Sequence, residues 1–233
     1  MPAETLLTTL REPEVLFSLY LTLKTTLVAI LVFLVIAPPL GYLLARRPTW
    51  GVRILGFVVT LPLVFPPIAL GYLLLLLLGR EGWIGHAFFE AGLPIIFSPT
   101  AVLIAGVIAG LPLVIRPLQA AFGSERLRSL EEAASITGAS PMTVFTRVTL
   151  PLVRPSLAVG LLLGAARVTG EVGITMMLGG NIQGRTNTLS LEIFNAVSRA
   201  DYDVANALCV VLVTLAVLLF IAMECVLKRS VKL

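Results

Sequence analysis

Apolar runs near 25–45, 55–79, 100–121, 155–178 and 204–227 alternate along the chain with shorter polar and charged intervals. Each run is too long for a strand and too uniformly apolar for the one-sided face of a soluble helix. At about 1.5 Å per residue, each reaches across a hydrocarbon core of about 30 Å. The pattern predicts an all-α fold, a polytopic membrane helix bundle with five transmembrane helices. The first run extends back toward Val15 and includes Lys24. A sixth, tilted or surface-lying piece on the N-terminal side is therefore the alternative count.

Composition assigns the solvent. Of 233 residues, 58% are hydrophobic and 13% charged, with a mean hydropathy of +1.00. A soluble domain carries about twice that charged fraction, so the apolar surface faces lipid. The net charge of +4 suggests no nucleic-acid partner, because topology accounts for it. Arg46, Arg47, Arg53, Arg116, Arg126, Arg128, Arg147, Arg154, Lys228, Arg229 and Lys232 flank one side of the predicted spans. Arg11, Lys24, Arg80, Arg185 and Arg199 flank the other, diluted by Glu12, Glu14, Glu81, Glu90, Glu192, Asp201 and Asp203. The positive-inside bias puts the first set in the cytoplasm, the N-terminus outside and the C-terminus inside. The expected location is the cytoplasmic (inner) membrane. The opening residues, with Glu4, Glu12 and Glu14, carry no pattern of a secretory signal.

Cys209 and Cys225 are sixteen positions apart in one apolar run, and His86 has no second ligand nearby. No disulfide and no metal site is expected. Prolines crowd the first three spans: Pro38-Pro39, Pro62, Pro66-Pro67, Pro112 and Pro117. Each removes a backbone donor and kinks or breaks its helix, which a membrane tolerates where the freed carbonyls face protein or a wet cavity.

The longest interval that is not plainly apolar lies between the third and fourth runs. Residues 126–137 read as a short amphipathic helix with Leu127, Leu130, Ala134 and Ile136 on one face. Gly138 supplies a left-handed stop, and Ser140-Pro141 reads as an N-cap and first position of a second short helix running through Arg147 and Val148. Pro151 then begins the return to the membrane. Helix, sharp turn and helix make a compact knob that a groove on another protein can grip.

Glu132-Ala133-Ala134, then Gly138, Val148 and Leu150-Pro151 resembles the EAA loop of ABC importer permeases. Only Val148 departs from the family pattern, where isoleucine is commoner. The resemblance implies a single transmembrane permease domain over 1–233, with a cytoplasmic coupling loop at 122–151 whose residues 132–138 dock into an ATP-binding subunit. The chain has no Gly-Lys pair and hence no P-loop. It is therefore expected to be no enzyme and to bind no cofactor, with ATP and Mg belonging to a separate ATPase.

In the fourth run, Arg167 and Glu171 stand four residues apart, one helical turn, and can pair on a shared face. Charges at that depth face partners or water, which leaves two readings, a structural ion pair or a lining of the path. The stretch Ala166-Arg167, Gly170-Glu171 and Gly173, followed by Gly180-Asn181-Ile182, Gly184, Thr186, Thr188 and Leu189, resembles oxyanion permeases of the molybdate and tungstate branch. Val172 and Gln183 depart from the usual aromatic and proline. Asn181, Arg185, Thr186, Asn187 and Thr188 are candidates for an external mouth that meets an anion or its delivering protein. The resemblance implies a homodimer, two ABC ATP-binding subunits and an external solute-binding protein, importing molybdate or tungstate. The alternatives are another oxyanion such as sulfate, or an ATPase-independent secondary transporter or channel.

Overall fold

The computed structural model describes residues 8–231, with side chains through residue 224; Glu4, Cys225, Lys228, Arg229 and Lys232 lie outside the described residues or side chains. The elements are α1 (Pro13–Arg46), α2 (Trp50–Val64), α3 (Pro67–Leu78), α4 (Gly85–Glu90), α5 (Pro99–Gly123), α6 (Glu125–Ile136), α7 (Pro141–Thr169), α8 (Gly173–Gly179), α9 (Leu189–Ser198) and α10 (Tyr202–Val231). No strand occurs among the described residues.

Four of these are long and apolar enough to cross a membrane: α1, α5, α7 and the stretch Tyr202–Glu224 of α10. The first is one continuous helix of 34 residues, about 50 Å long and so longer than the hydrocarbon core. It absorbs the N-terminal piece that the sequence left as a sixth element. The predicted span at 55–79 is two helices, α2 and α3, of 15 and 12 residues. Phe65 sits extended, at φ −76° and ψ 143°, as the residue before a proline is pushed to do, and Pro67 opens α3. The other prolines, Pro38-Pro39, Pro62, Pro112 and Pro117, ride inside continuous helices.

The predicted span at 155–178 is also broken. Helix α7 ends at Thr169 with Gly170 as its cap, and α8 begins at Gly173. The two breaks face each other: a Cβ at Gly173 would stand 2.7 Å from Pro67 Cβ and 3.1 Å from the Ile68 nitrogen. A side chain there would push α8 away from the start of α3.

Helix α5 is the axis, with 56% of its most apolar stretch buried, against 22% for α1 and 17% for α10. Around it, Phe33 and Ala37 of α1, Val114, Ile115 and Leu118 of α5, Leu127 of α6 and Leu161 of α7 form the main apolar core. A second cluster joins Leu70 and Leu78 of α3 and Ile174 and Leu178 of α8 to Ala101, Ala105 and Ala109 of α5. A third joins Val15, Leu189 and Leu208. By contrast, α2 has no buried residue.

Helices α5 and α7 approach closely because glycine faces valine at the crossing. A Cβ at Gly164 would fall 2.6 Å from Val114 Cγ2 and 3.1 Å from the Phe33 ring. Gly164→Val is expected to destabilise the fold by about 1–3 kcal/mol through overpacking. Gly51→Ala, where an added Cβ meets nothing within 4 Å, is expected to be neutral or slightly stabilising. Thermal unfolding of the two variants in detergent measures the contrast, and equal melting temperatures would rule out the tight crossing.

Candidate functional site

The knob folds by the local grammar its residues dictate. Ser124 caps α6, its hydroxyl accepting from the Leu127 N–H at 3.4 Å. At the other end Gly138 is left-handed, with φ +84°. Its N–H donates to Ser135 O at 3.0 Å and the Ala139 N–H to Ala134 O at 3.2 Å, the pair of bonds of a Schellman stop. Ser140 caps the next helix, accepting from the Thr143 N–H at 3.3 Å, with Pro141 at its first turn. The second helix does not end near Val148. It continues through a π turn at Phe145–Thr149 into the long part of α7. In that turn the Leu150 N–H reaches back to Phe145 O, and Pro151, next in line, has no N–H to give. Pro151 is therefore a point inside a continuous helix and not the start of a new one.

Glu132, Ala133 and Gly138 are exposed, Ala134 and Val148 half-buried, and Leu150 and Pro151 exposed. Leu127 is the one residue of α6 that is fully buried. Leu130 and Ile136 do not join it on an inward face. Ile136 is 86% exposed and, with Met142 at 71%, gives the knob an apolar outer edge. Beside that edge, Glu132, Arg128, Ser135, Ile136, Glu131 and Arg46 line a concavity of about 590 Å³.

The polar anchor of the knob is Glu131, which lies off the apolar face that the sequence pattern picks out. Its Oε2 meets Arg46 Nη2 at 2.6 Å, and its Oε1 accepts from the Thr149 hydroxyl at 2.6 Å. The sequence pattern gives Arg46 only a role in topology. The available signal was spacing: Glu131 follows buried Leu127 by four residues and so shares its face.

At the opposite end of α7, Arg167 and Glu171 form an ion pair, as the spacing suggested. They do not share one helix, because Glu171 lies in the break after Gly170. Its side chain is 1% exposed against 28% for Arg167. Oε1 accepts from the Ile174 N–H at 2.7 Å and so caps α8, while Oε2 faces the guanidinium as an ion pair without an aligned hydrogen bond. The carboxylate joins the end of α7 to the beginning of α8.

The loop after α8 is mostly closed on itself. Thr186 is fully buried, donating to Gly179 O at 2.7 Å and accepting from the Ile182 N–H at 2.9 Å. Thr188 is 6% exposed and caps α9. Asn181 pairs with Asn195 at 2.7 Å, and buried Asn187 donates to Glu192 at 2.7 Å. Of the residues named for an external mouth, Arg185 is exposed, Asn181 half-buried, and Thr186, Asn187 and Thr188 buried. Thr22 and Thr169, residues the sequence reading passed over, hold α9 in place, Thr22 Oγ1 accepting from the Leu189 N–H at 2.9 Å and Thr169 O accepting from Ser190 at 2.8 Å.

Residues 37–232 match the family described as binding-protein-dependent transport system inner membrane component. The chain belongs to this family. The permease is 36% identical over 192 residues to the molybdenum transport system permease protein ModB of Azotobacter vinelandii, covering 82% of this chain and 84% of that one. It is 34% identical over 214 residues to ModB of Haemophilus influenzae, covering 91% and 93%. At 32% over 222 residues it also resembles the probable sulfate transport system permease protein cysT of Marchantia polymorpha, covering 94% and 77%. Among solved structures, its fold is similar to that of a bacterial ABC transporter involved in the import of the acidic polysaccharide alginate, with a TM-score of 0.74 at 18% identity over 98% of this chain and 84% of that one. The MetNI methionine ABC transporter in inward-facing conformations gives 0.68 at 21% identity over 98% and 99%. The permease is thus a multi-pass inner-membrane component with the fold of ABC importer permeases.

Removing Glu171 leaves Arg167 without its counterion and α8 without its cap. Glu171→Ala is expected to cost about 2–4 kcal/mol, and Glu171→Gln, which keeps an acceptor for the Ile174 N–H, about half as much. Thermal unfolding of the purified permease ranks the variants, and a melting temperature unchanged in both would remove the joining role.

Proposed function

We propose that two copies of this permease form the pathway of an ATP-driven importer for molybdate, powered by two ATP-binding subunits and supplied by an external solute-binding protein. The observation that carries the cargo is the identity of 34–36% with molybdenum transport permeases over 82–91% of the chain. Tungstate, a tetrahedral dianion of nearly the same chemistry, is a second cargo of this reading. The similarity to a sulfate permease over 94% of the chain favours sulfate as the competing one. The N-terminus lies outside and the C-terminus and knob in the cytoplasm, in keeping with the Lys/Arg bias.

Residues 132–138 then dock on the ATPase, with exposed Ile136 supplying an apolar contact and Glu132 a charged one. ATP and Mg are held and used by that partner. When the two ATPase subunits close and reopen, the knobs travel with them and the bundles switch between inward-open and outward-open states. The loaded binding protein delivers its anion to the outward-open state. Inside, an anion that has left water needs donors in place of its hydration shell, and half-buried Arg167, the more accessible member of its ion pair, is one such donor.

Reconstitution with the ATPase and the binding protein, followed by uptake of labelled molybdate, tests this reading. Glu132→Arg is expected to reduce ATP-driven uptake by about tenfold or more, since it inverts a charge at the docking edge. Gly138→Val, whose new Cβ meets no neighbour, acts only through the left-handed backbone, a strain of about 1–2 kcal/mol, and is expected to weaken ATPase binding. Full uptake in both variants would dismiss the docking role. Preference for sulfate over molybdate in competition would reassign the cargo.

A further inference from the structure

We infer that the Glu131 carboxylate is the joint through which movement of the knob reaches the membrane helices. The inference rests on the importer reading and adds positioning residues to it: Arg46, Glu131 and Thr149.

Helix α6 is held to the bundle through few contacts. Its one fully buried side chain is Leu127, and an apolar contact resists being pushed inward but fixes no direction. Glu131 adds the direction. Its two oxygens are engaged by two different helices, Arg46 at the last turn of α1 and Thr149 in the π turn of α7, both at 2.6 Å. Charge-assisted bonds of that length set orientation as well as distance. The guanidinium is braced in turn: it lies 5.8 Å from the centre of the Tyr42 ring, and Tyr42 meets Phe122 of α5 edge-on at 5.4 Å. Three helices, α1, α6 and α7, therefore meet at one carboxylate, and α5 supports it through Tyr42.

The joint lines the same concavity as Glu132 and Ile136, so it lies directly behind the docking edge. The site also coincides with the π turn, and such turns mark places where a helix departs from its regular bonding pattern. A pull or rotation of α6 is delivered by Thr149 to α7 at that turn and by Arg46 to α1. Without the carboxylate, α6 remains attached by Leu127 and by its flanking chain, and still presents Glu132 and Ile136 to the ATPase. It docks, but its motion is no longer transmitted.

The test uses the full permease assembled with its ATPase in proteoliposomes containing the loaded binding protein. ATPase co-purification, ATP hydrolysis and labelled molybdate uptake are read on the same preparations. Glu131→Gln and Arg46→Met are expected to assemble within about twofold of wild type and to sustain ATP hydrolysis, while molybdate imported per ATP falls at least about fivefold. Thr149→Val is expected to give a smaller fall in that ratio, since the bond it removes has a neutral donor and the ion pair with Arg46 is kept. The double reversal R46E/E131R is expected to recover at least half of the ratio. An unchanged ratio, loss of assembly in the single variants, or a fall that the reversal does not recover overturns the joint. A wild-type permease that imports normally beside an equally efficient Glu131→Gln variant sinks the joint alone, whereas a wild type that neither binds the ATPase nor imports sinks the importer reading.

Discussion

In hydrocarbon, a backbone amide that leaves its helix has to be satisfied by the protein itself. This constraint governs the middle of the permease, where two helices break beside each other. At the first break two consecutive prolines have no N–H to satisfy, and the Phe65 N–H before them still reaches Leu61 O at 2.9 Å. At the second, the Glu171 carboxylate takes the Ile174 N–H. One break removes donors and the other brings in an acceptor. Because Gly173 has no side chain, its backbone packs directly against Pro67 and the two breaks adjoin, with the second largely enclosed while residues 63–69 around the first stay exposed. Helices α3 and α8 pack as a pair against α5, and the charge required to cap α8 is balanced by Arg167 from α7.

The same logic accounts for the hydroxyl groups buried toward the other end of α1. Thr22, Thr26 and Thr169 are inside the bundle, with Thr26 and Thr169 sharing a hydrogen bond of 3.1 Å. A threonine in a helix bonds its own preceding carbonyl at little cost, as Thr22 does with Ser18 and Thr169 with Ala165. That leaves the Thr22 oxygen available to the Leu189 N–H at the first turn of α9, and the Thr169 hydroxyl to Thr26. Hydroxyls thus tie α1, α7 and α9 together without burying a charge.

The parts of this architecture that depend on neighbours in sequence were legible in it. Ser124, Gly138 and Ser140-Pro141 act within four residues of themselves, so the outline of the knob followed from cap and turn chemistry alone. The proline pairs show where that reading stops. Pro38-Pro39 and Pro66-Pro67 are the same dipeptide, yet the first lies within a continuous helix and the second separates two. The dipeptide alone does not decide between the two outcomes; the second pair differs in having Gly173 packed against it. Glu131 was illegible for a related reason: its partner Arg46 is 85 positions away. Thr186 and Thr188 are buried although their loop is polar. A polar loop reads as open, but hydroxyls that find backbone partners within a few residues are content to be buried.

The position of α7 relates the two ends of the molecule. Its part from Leu150 to Thr169 has 20 residues, Pro155 among them, and is about 30 Å long. Thr149 stands immediately before it, and Gly170, with the Glu171 carboxylate next to it, immediately after. The closely packed contacts of Gly160 and Gly164 with Val114 oppose bending midway, because an interior at crystal-like density transmits displacement rather than absorbing it. If Glu131 acts as the joint inferred above, a shift at the Thr149 end is passed along this packed helix toward the Arg167–Glu171 pair. There it meets the one place where α7, α8 and α3 adjoin through a cap, an ion pair and a glycine contact instead of a continuous helix. A rigid rod between two polar joints is a physical means by which an event at a protein surface alters the interior of a membrane bundle without a charge having to cross lipid.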